Sequence, residues 1–283
     1  MVGASSYGVM ISITRMAYDE GTNPVTLICA RALVPSLIIT AIILARRSSF
    51  ALVHGAFWPV VGISLGQLGI TIGYLSAVAY IPVSLAALVF YAHPVLVAAL
   101  LGLFGRSRVG WIAAPAFAAA FAGLALALAP SFAVLDPLGL GLAFCATLSG
   151  TLLLLSADRL PARQSVLPVG LYMNLVALAA MAPYALASGS LTAPGSTLGW
   201  GALSIVSLGF IVAFFSVVGA VRFGGALRTA LIFNLEPVIA ILSAMLLLGE
   251  ALSPLQSAGV ALVFAALTLA TLAERRHPVP PAT

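Results

Sequence analysis

Charged residues are scarce in this sequence. Only 7% of its 283 residues are Asp, Glu, Lys or Arg, whereas a soluble domain carries about 25%. So few charges are not enough to cover a water-facing surface, and 62% of the residues are hydrophobic. The composition therefore excludes an ordinary water-soluble domain and predicts an integral membrane protein.

Lysine is absent, and all twelve basic residues are arginine. No basic patch with interleaved aromatic residues is present, so the net charge of +5 does not indicate a nucleic-acid partner. The two cysteines, Cys29 and Cys145, lie inside apolar segments. We expect them to pack as small core residues and to form neither a disulfide nor a metal site.

Motifs of nucleotide-driven pumps and of zinc hydrolases are also missing. The chain has no Walker A motif, no His-Glu-x-x-His motif and no cysteine-rich cluster. These absences argue against ATP-driven pumping and against a metal or other cofactor. We therefore expect a protein that is not an enzyme.

Apolar segments of membrane-spanning length follow one another along the whole chain. A spanning helix needs about 20 apolar residues, and short connectors between the segments hold the charges and turn-forming residues. The sequence predicts an all-α membrane protein with ten spans at 2–18, 24–45, 56–79, 82–104, 109–129, 136–156, 166–187, 198–221, 226–248 and 254–273.

The arginines are concentrated on one side of this arrangement. When the connectors are numbered in order, the even ones and the C-terminal tail hold ten of the twelve arginines, and the odd ones hold none. Excess positive charge marks the cytoplasmic side of a membrane. The pattern predicts a multi-pass protein of the cell inner (cytoplasmic) membrane with both termini in the cytoplasm.

The two halves of the sequence resemble each other. A shift of 143 positions places spans two to five on spans seven to ten, each within three residues, and aligns His93-Pro94 with Glu236-Pro237. Because each half holds five spans, the halves enter the membrane in opposite directions. We predict two inverted five-helix repeats, residues 1–135 and 136–283, with a substrate site at their interface near mid-membrane.

Several short motifs resemble the drug/metabolite transporter superfamily, in its EamA-type exporter branch. They are Asn234-Leu235-Glu236-Pro237-Val238, Leu247-Leu248-Gly249-Glu250, Gln256-Ser257-Ala258-Gly259, and Thr22-Asn23-Pro24 followed by Arg31-Ala32. The resemblance covers essentially the whole chain. Within the branch, the sequence is similar to the bacterial aromatic amino acid exporters. It implies ten helices, a central cavity and export of metabolites such as amino acids. The first half departs from the pattern, with Gly105-Arg106-Ser107 where the family usually has Gly-Glu.

Glu236 is the leading candidate for a functional residue. It lies eight residues after Arg228, about 12 Å into the membrane at the α-helical rise, where an ionisable group costs about 2.5–3.5 kcal/mol. It also precedes Pro237, which lacks the N–H that a helix hydrogen bond needs. We predict a proton-coupling group or a partner for a substrate ammonium. A carboxyl group kept neutral or hydrogen-bonded between helices is the structural alternative.

His93 occupies the equivalent position in the first half, and histidine exchanges protons near neutral pH. A membrane histidine also serves as a packed interhelical hydrogen-bonding group. Facing the repeat interface together, His93 and Glu236 would form a pair from opposite halves.

Arg15 and Arg31 are the two arginines outside the cytoplasmic set. A guanidinium group suits bidentate recognition of a substrate carboxylate. For Arg15, snorkelling toward the outer surface or pairing with Asp19 or Glu20 is the favoured alternative. Arg31 lies deeper, about 10 Å below Pro24, and both interpretations stay open for it.

Other polar side chains at membrane depth are candidates for substrate binding or for interhelical hydrogen bonds. These are Gln67, Tyr74, Tyr91, Asn174 and Asn234. Gln67 lies beside a stripe of glycines at helical spacing, which predicts a close helix–helix packing seam or a thin cavity wall that moves during gating. The members of the stripe are Gly62, Gly66, Gly69 and Gly73.

Together these features predict a secondary transporter that exports small metabolites, above all amino acids and among them aromatic ones, by alternating access around a central cavity. Its partners would be the small-molecule substrate, membrane lipids and, if transport is coupled, protons. The alternative is an integral membrane enzyme or flippase acting on a lipid-like substrate. The short connectors, which lack clusters of catalytic residues, argue against that alternative. A channel is disfavoured because no repeated filter-like loop is present.

Overall fold

The computed structural model describes residues 2–103, 113–129, 135–248 and 252–276. Within these ranges every regular element is an α-helix. The helices are α1 (Val2–Asp19), α2 (Pro24–Ala45), α3 (Phe57–Ala77), α4 (Val83–Phe90), α5 (His93–Leu103), α6 (Ala113–Leu128), α7 (Pro137–Asp158), α8 (Val166–Ala187), α9 (Thr197–Phe233), α10 (Leu235–Leu248) and α11 (Pro254–Arg276).

Several helices begin where the connector residues supply a cap. Asn23 accepts a hydrogen bond from the Thr26 N–H at 2.8 Å, and Pro24 follows it as the first residue of α2. Asp136 and Pro137 start α7 in the same way, with the Asp136 carboxylate accepting from the Gly139 N–H at 2.9 Å. The cap accepts a hydrogen bond from a backbone N–H of the first turn that has no partner within the helix. Proline at the first helical position has no N–H, so it leaves no donor unsatisfied there.

Helix length and composition support a multi-pass membrane protein. Among the described residues, six helical segments are long and apolar enough to cross a membrane, with α4 and α5 counted together. They are Pro24–Ala45, Phe57–Ala77, Val83–Leu103, Pro137–Asp158, Val166–Ala187 and Thr197–Phe233. Three shorter apolar helices lie at Phe117–Leu128, Leu235–Leu247 and Pro254–Leu269.

Two predicted spans are interrupted where the sequence suggested continuous helices. The span at 82–104 is divided between α4 and α5, and Tyr91 and Ala92 separate the two pieces. The span at 226–248 is divided at Asn234, between α9 and α10. In each case a proline, Pro94 or Pro237, lies in the first turn of the second piece, where its missing N–H costs nothing. The predicted connectors at 106–108 and at Gly249-Glu250 lie outside the described residues.

A third break lies inside α9. Gly225 has φ 78° and ψ 163°, so α9 consists of two helices joined across a kink. The conformation falls in a region that glycine adopts readily and other residues do not. The Asp158 carboxylate at the end of α7 accepts a hydrogen bond from the Ala226 N–H at 3.0 Å, and so caps the helix that starts after the kink.

Helices of the first half pack against helices of the second half. The most extensive packing is between α3 and α7, between α1 and both α9 and α10, between α2 and α8, and between α6 and α11. The predicted glycine stripe of α3 is a packing seam, because its members lie against α7. A Cβ at Gly66 would come within 2.8 Å of the Ser149 carbonyl oxygen, and one at Gly73 within 3.0 Å of the Leu142 carbonyl oxygen. Small residues let helix backbones approach this closely.

At one end of the bundle, the connector from α1 to α2 is bonded to the connector from α8 to α9. The Asn23 N–H donates to the Thr192 hydroxyl at 3.1 Å, and the Asn23 amide donates to the Ser190 carbonyl. The Thr192 N–H donates to the Thr26 hydroxyl at 2.8 Å. The Glu20 carboxylate accepts from the Ser196 hydroxyl. This end of the bundle is therefore closed by hydrogen bonds between the two halves.

The opposite end is closed by a matching contact. The Gln164 amide oxygen, in the connector from α7 to α8, accepts from the Val53 N–H at 2.8 Å in the connector from α2 to α3. The Tyr172 hydroxyl donates to the Phe50 carbonyl at 3.1 Å, and Arg222 donates to the Gln164 carbonyl at 3.4 Å. Hydrogen bonds between the two halves therefore bridge connectors at both ends of the bundle.

Candidate functional site

The two interrupted helices place the candidate residues at corresponding positions of the two halves. Tyr91 and His93 flank the break between α4 and α5, and Asn234 and Glu236 flank the break between α9 and α10. A break frees backbone groups and lets side chains point into the bundle, where transporters place their substrate sites. The candidate site is therefore built around these two helix breaks.

Glu236 lies in the first turn of α10, at the interface with the first half. The side chains of Tyr91 and Glu236 interact with each other. Tyr74 of α3 and Tyr7 of α1 also interact electrostatically with the Glu236 carboxyl. A carboxyl group from the second half of the chain thus interacts with three tyrosines of the first half.

Asn234 ends α9 and is 3% exposed, and its side-chain oxygen has no hydrogen-bond partner among the described residues. Burial of an unpartnered polar atom costs about 1–3 kcal/mol. The great majority of buried polar groups in native proteins are satisfied. The orphaned oxygen therefore indicates a position where a water molecule or a bound ligand supplies the missing donor.

His93 contacts Phe90 and α7. Its Nδ1 lies 3.0 Å from the Phe90 carbonyl oxygen, and its ring lies 5.0 Å from the Phe90 ring between centroids. The imidazole also packs toward Gly150 of α7, where a Cβ would lie 3.5 Å from it. The pairing of His93 with Glu236 stays a prediction.

Arg31 lies in a narrow cleft formed by α2, α3, α8 and α9. Its guanidinium donates to the Thr71 hydroxyl at 3.3 Å and lies 4.7 Å from the centre of the Phe210 ring. Gln67 and Asn174 also line the cleft, so three of the predicted candidates come together here. The Asn174 amide nitrogen donates to the Gly170 carbonyl of its own helix at 2.8 Å.

Tyr7 is a further candidate that the sequence did not single out. It interacts electrostatically with both Arg31 and Glu236, and its ring packs against Phe210 and Phe233 at 6.0 and 6.1 Å between centroids. The available signal was Gly8, its neighbour in α1, whose missing side chain allows α1 to approach Glu236. Tyr7 therefore connects the Arg31 cleft with the Glu236 position.

The remaining candidates lie away from these positions. Arg15 is exposed on α1, and its role stays a prediction. Cys29 is half-buried, and Cys145 is exposed on α7. The expectation that both cysteines pack in the core is thus wrong for Cys145, because it lies on the face of α7 that points away from the other helices. In the part of the chain that the structure describes, no group of His, Cys, Asp or Glu side chains has the arrangement of a metal site.

Comparison with known proteins finds a family match in the second half of the chain. Residues 137–272 match the EamA-like transporter family. A solved crystal structure, described only as that of a protein, has the same fold with a TM-score of 0.81 at 20% sequence identity. The similarity covers 98% of this chain and 98% of that chain. A search of curated proteins gives no match.

Proposed function

The chain carries an EamA-like transporter family domain at residues 137–272, and from this premise we propose that it is a secondary transporter. It exports small metabolites, amino acids and among them aromatic ones, across the cytoplasmic membrane by alternating access. Members of the matched family are transporters of small molecules rather than enzymes. The all-helical fold with its apolar spanning helices agrees with this class.

The proposed architecture has ten spans in two inverted five-helix repeats, residues 1–135 and 136–283. Three observations support it. The helix breaks before His93 and before Glu236 lie 143 positions apart. Packing of α3 on α7 is matched by packing of α1 on α9, its counterpart under the same shift. The family match begins at residue 137, close to the proposed boundary.

The arginine distribution supports the orientation that we propose, with both termini in the cytoplasm. Arg46 and Arg159 lie at the end of the bundle that is closed by Gln164, together with Arg222. Asp19 and Glu20 lie at the opposite end. The first end then faces the cytoplasm, and the end closed by Asn23 and Thr192 faces outward.

The observation that carries the proposal is the placement of Glu236 among tyrosines of the other half. Glu236 interacts electrostatically with Tyr91, Tyr74 and Tyr7, and it lies beside a helix break. A carboxyl group at this depth is expensive unless it has a function or a partner. We assign it one of two roles, binding of the substrate ammonium or transfer of a coupled proton. The aromatic rings around it suit aromatic amino acids.

The test is counterflow and pH-driven uptake in proteoliposomes, with a panel of labelled amino acids. We expect saturable counterflow of at least one amino acid by the wild-type protein. If Glu236 carries protons, Glu236→Gln keeps counterflow and loses uptake driven by a pH gradient. If it binds the ammonium group, both activities fall. Asp19→Asn is the matched control, because Asp19 is an exposed carboxylate at the end of α1, and it should behave as wild type.

Absence of flux for every amino acid, from protein with an intact elution profile in gel filtration, would overturn the amino acid assignment. A lipid-like substrate would then be the next to test, by flippase and lipid-turnover assays in the same vesicles.

A further inference from the structure

We propose that the Arg31 cleft is a carboxylate-binding subsite, which holds the carboxylate group of the substrate through the Arg31 guanidinium. This inference rests on the proposed transport function and names the chemical group that the site recognises. It is carried by three features of the cleft: a positive charge without a carboxylate partner among the described residues, an amide side chain beside it, and walls contributed by both halves of the chain.

The charge of Arg31 has no carboxylate partner in the described parts of the chain. Its contacts are the neutral Thr71 hydroxyl and the Phe210 ring, and the titratable groups that interact with it are Tyr7 and Tyr18. A guanidinium at membrane depth is costly when it is unpaired, and buried charges in proteins are normally paired. A bound anion would remove this cost, so the environment of Arg31 favours a negatively charged ligand.

Amide groups beside Arg31 add further donors. The Gln67 side chain lines the cleft beside Arg31. The Thr71 hydroxyl donates to the Gln67 backbone carbonyl at 3.0 Å, so it is already oriented away from a ligand. The guanidinium of Arg31 is itself a planar fork of donors that matches the two oxygens of a carboxylate, and the Gln67 amide in the same cleft adds a further N–H donor.

The cleft suits a monoanion better than a phosphate. Arg31 is the one cationic side chain that lines it, and every other polar lining residue is neutral. A single positive charge balances one carboxylate, whereas a phosphate dianion would remain half uncompensated in a low-dielectric site. The remaining walls are apolar, with Ile28, Ala32 and Met173 among them, so the rest of the ligand must present apolar surface.

The cleft also lies where transport needs a ligand to bind. Arg31 and Gln67 belong to the first half, whereas Asn174 and Phe210 belong to the second. A ligand bound to Arg31 therefore contacts both halves at once, and its departure releases one half from the other. Tyr7 connects this subsite to Glu236, so one small molecule in the bundle can be sensed at both positions.

The test is calorimetric binding to the full-length protein in lipid nanodiscs, with a pair of probes that differ only in charge. The probes are 3-phenylpropionate and its uncharged amide, 3-phenylpropionamide. We expect the carboxylate to bind at least tenfold more tightly than the amide to the wild-type protein, because hydrogen bonds to charged groups contribute a factor of about ten or more.

Three variants place the preference on Arg31. Arg31→Gln should make the two affinities equal, and Arg31→Lys should keep part of the preference, since the charge stays and the planar fork is lost. Arg46→Gln removes an exposed arginine at the end of α2 and should leave the ratio unchanged. If Arg31→Gln does not fold, the wild-type probe pair and Gln67→Leu, with an expected several-fold loss, decide the question.

Equal affinities of the two probes in the wild-type protein, no binding of the carboxylate at millimolar concentration, or an unchanged ratio in Arg31→Gln would each overturn the subsite. The binding measurements do not depend on flux, so the subsite proposal and the transport proposal can be refuted separately. Carboxylate binding without flux would sink the transport proposal and leave the subsite standing. Flux that is unchanged in Arg31→Gln and does not require a carboxylate on the substrate would overturn the subsite and leave the transport proposal standing.

Discussion

Gly8 of α1 lies directly against the backbone carbonyl of Glu236, so closely that a Cβ at position 8 would stand 2.6 Å from that oxygen. Ile239 and Ala240 of α10 are equally close, at 2.8 and 2.9 Å from the same Cβ position. Backbone atoms cannot move aside as the end of a flexible side chain can. The glycine is therefore what brings Tyr7 within reach of the Glu236 carboxyl.

Replacement of this glycine should loosen the site. We expect Gly8→Ala to destabilise the protein by about 1–3 kcal/mol, as overpacking does, and to reduce transport, because α1 must move away from α10. Thermal unfolding in detergent and counterflow in proteoliposomes measure the two effects. Gly141→Ala is the control, because a Cβ there meets no atom within 4 Å. Because alanine has a higher helix propensity than glycine, the stability of Gly141→Ala should be unchanged or slightly raised. Wild-type stability in Gly8→Ala would refute the close approach.

Asn234 offers a second prediction, in which stability and transport change in opposite directions. Asn234→Leu removes a buried oxygen that has no partner among the described residues and keeps a similar volume. Removal of an unsatisfied polar group should raise the melting temperature, since its desolvation costs about 1–3 kcal/mol. If the oxygen serves a ligand, the half-saturation concentration for counterflow should rise.

The paired outcome separates function from structure at Asn234. Lower melting temperature with unchanged transport would mean that the oxygen is satisfied by a structural water molecule, and it would remove Asn234 from the site. Ser243→Ala is a useful comparison, because the Ser243 hydroxyl is bonded to the Ser12 hydroxyl at 2.7 Å. Its loss should lower stability.

The hydrogen-bonded connectors at Asn23 and Thr192 support a third prediction. If they form a gate that opens during the transport cycle, a covalent link between them should stop transport. The Asn23 N–H lies 3.1 Å from the Thr192 hydroxyl oxygen, so the two backbones are close enough for a disulfide. Asn23→Cys with Thr192→Cys, in a chain that also carries Cys29→Ala and Cys145→Ala, should be inactive when oxidised and active after reduction.

Each single-cysteine variant is the control for that experiment and should be insensitive to oxidant. Full counterflow by the oxidised double variant, with the cross-link verified by mass spectrometry, would show that the connectors do not separate during transport.

Much of the helix pattern could be predicted from the sequence, because long apolar segments end at recognisable signals. The predicted spans at 24–45 and 166–187 coincide with α2 and α8, and Asn23-Pro24 is a cap followed by a proline. The helix breaks at Tyr91 and Asn234 were harder to predict, since the residues on both sides are equally apolar and only the following proline marks them.

The candidate site was predicted in part. Arg31, Gln67 and Asn174 were chosen as polar residues at membrane depth, and they share one cleft. The pairing of His93 with Glu236 could not be judged from their equivalent positions under the 143-residue shift. His93 contacts Phe90 and α7, whereas Glu236 interacts with Tyr7, Tyr74 and Tyr91. Equal sequence register does not fix which neighbour a side chain contacts.

By itself the sequence determined that this protein is built of apolar helices of membrane-spanning length, and where most of them start and end. Those properties depend on local composition and on the length of a bilayer-spanning helix. Only the tertiary structure decided that Tyr7 connects Arg31 with Glu236 and that Phe210 covers the guanidinium. In a lipid environment the outward and inward faces of a helix are both apolar, so periodicity does not reveal how each helix is rotated. Contacts such as the Gly8 approach to Glu236 set that rotation, and with it the composition of the site.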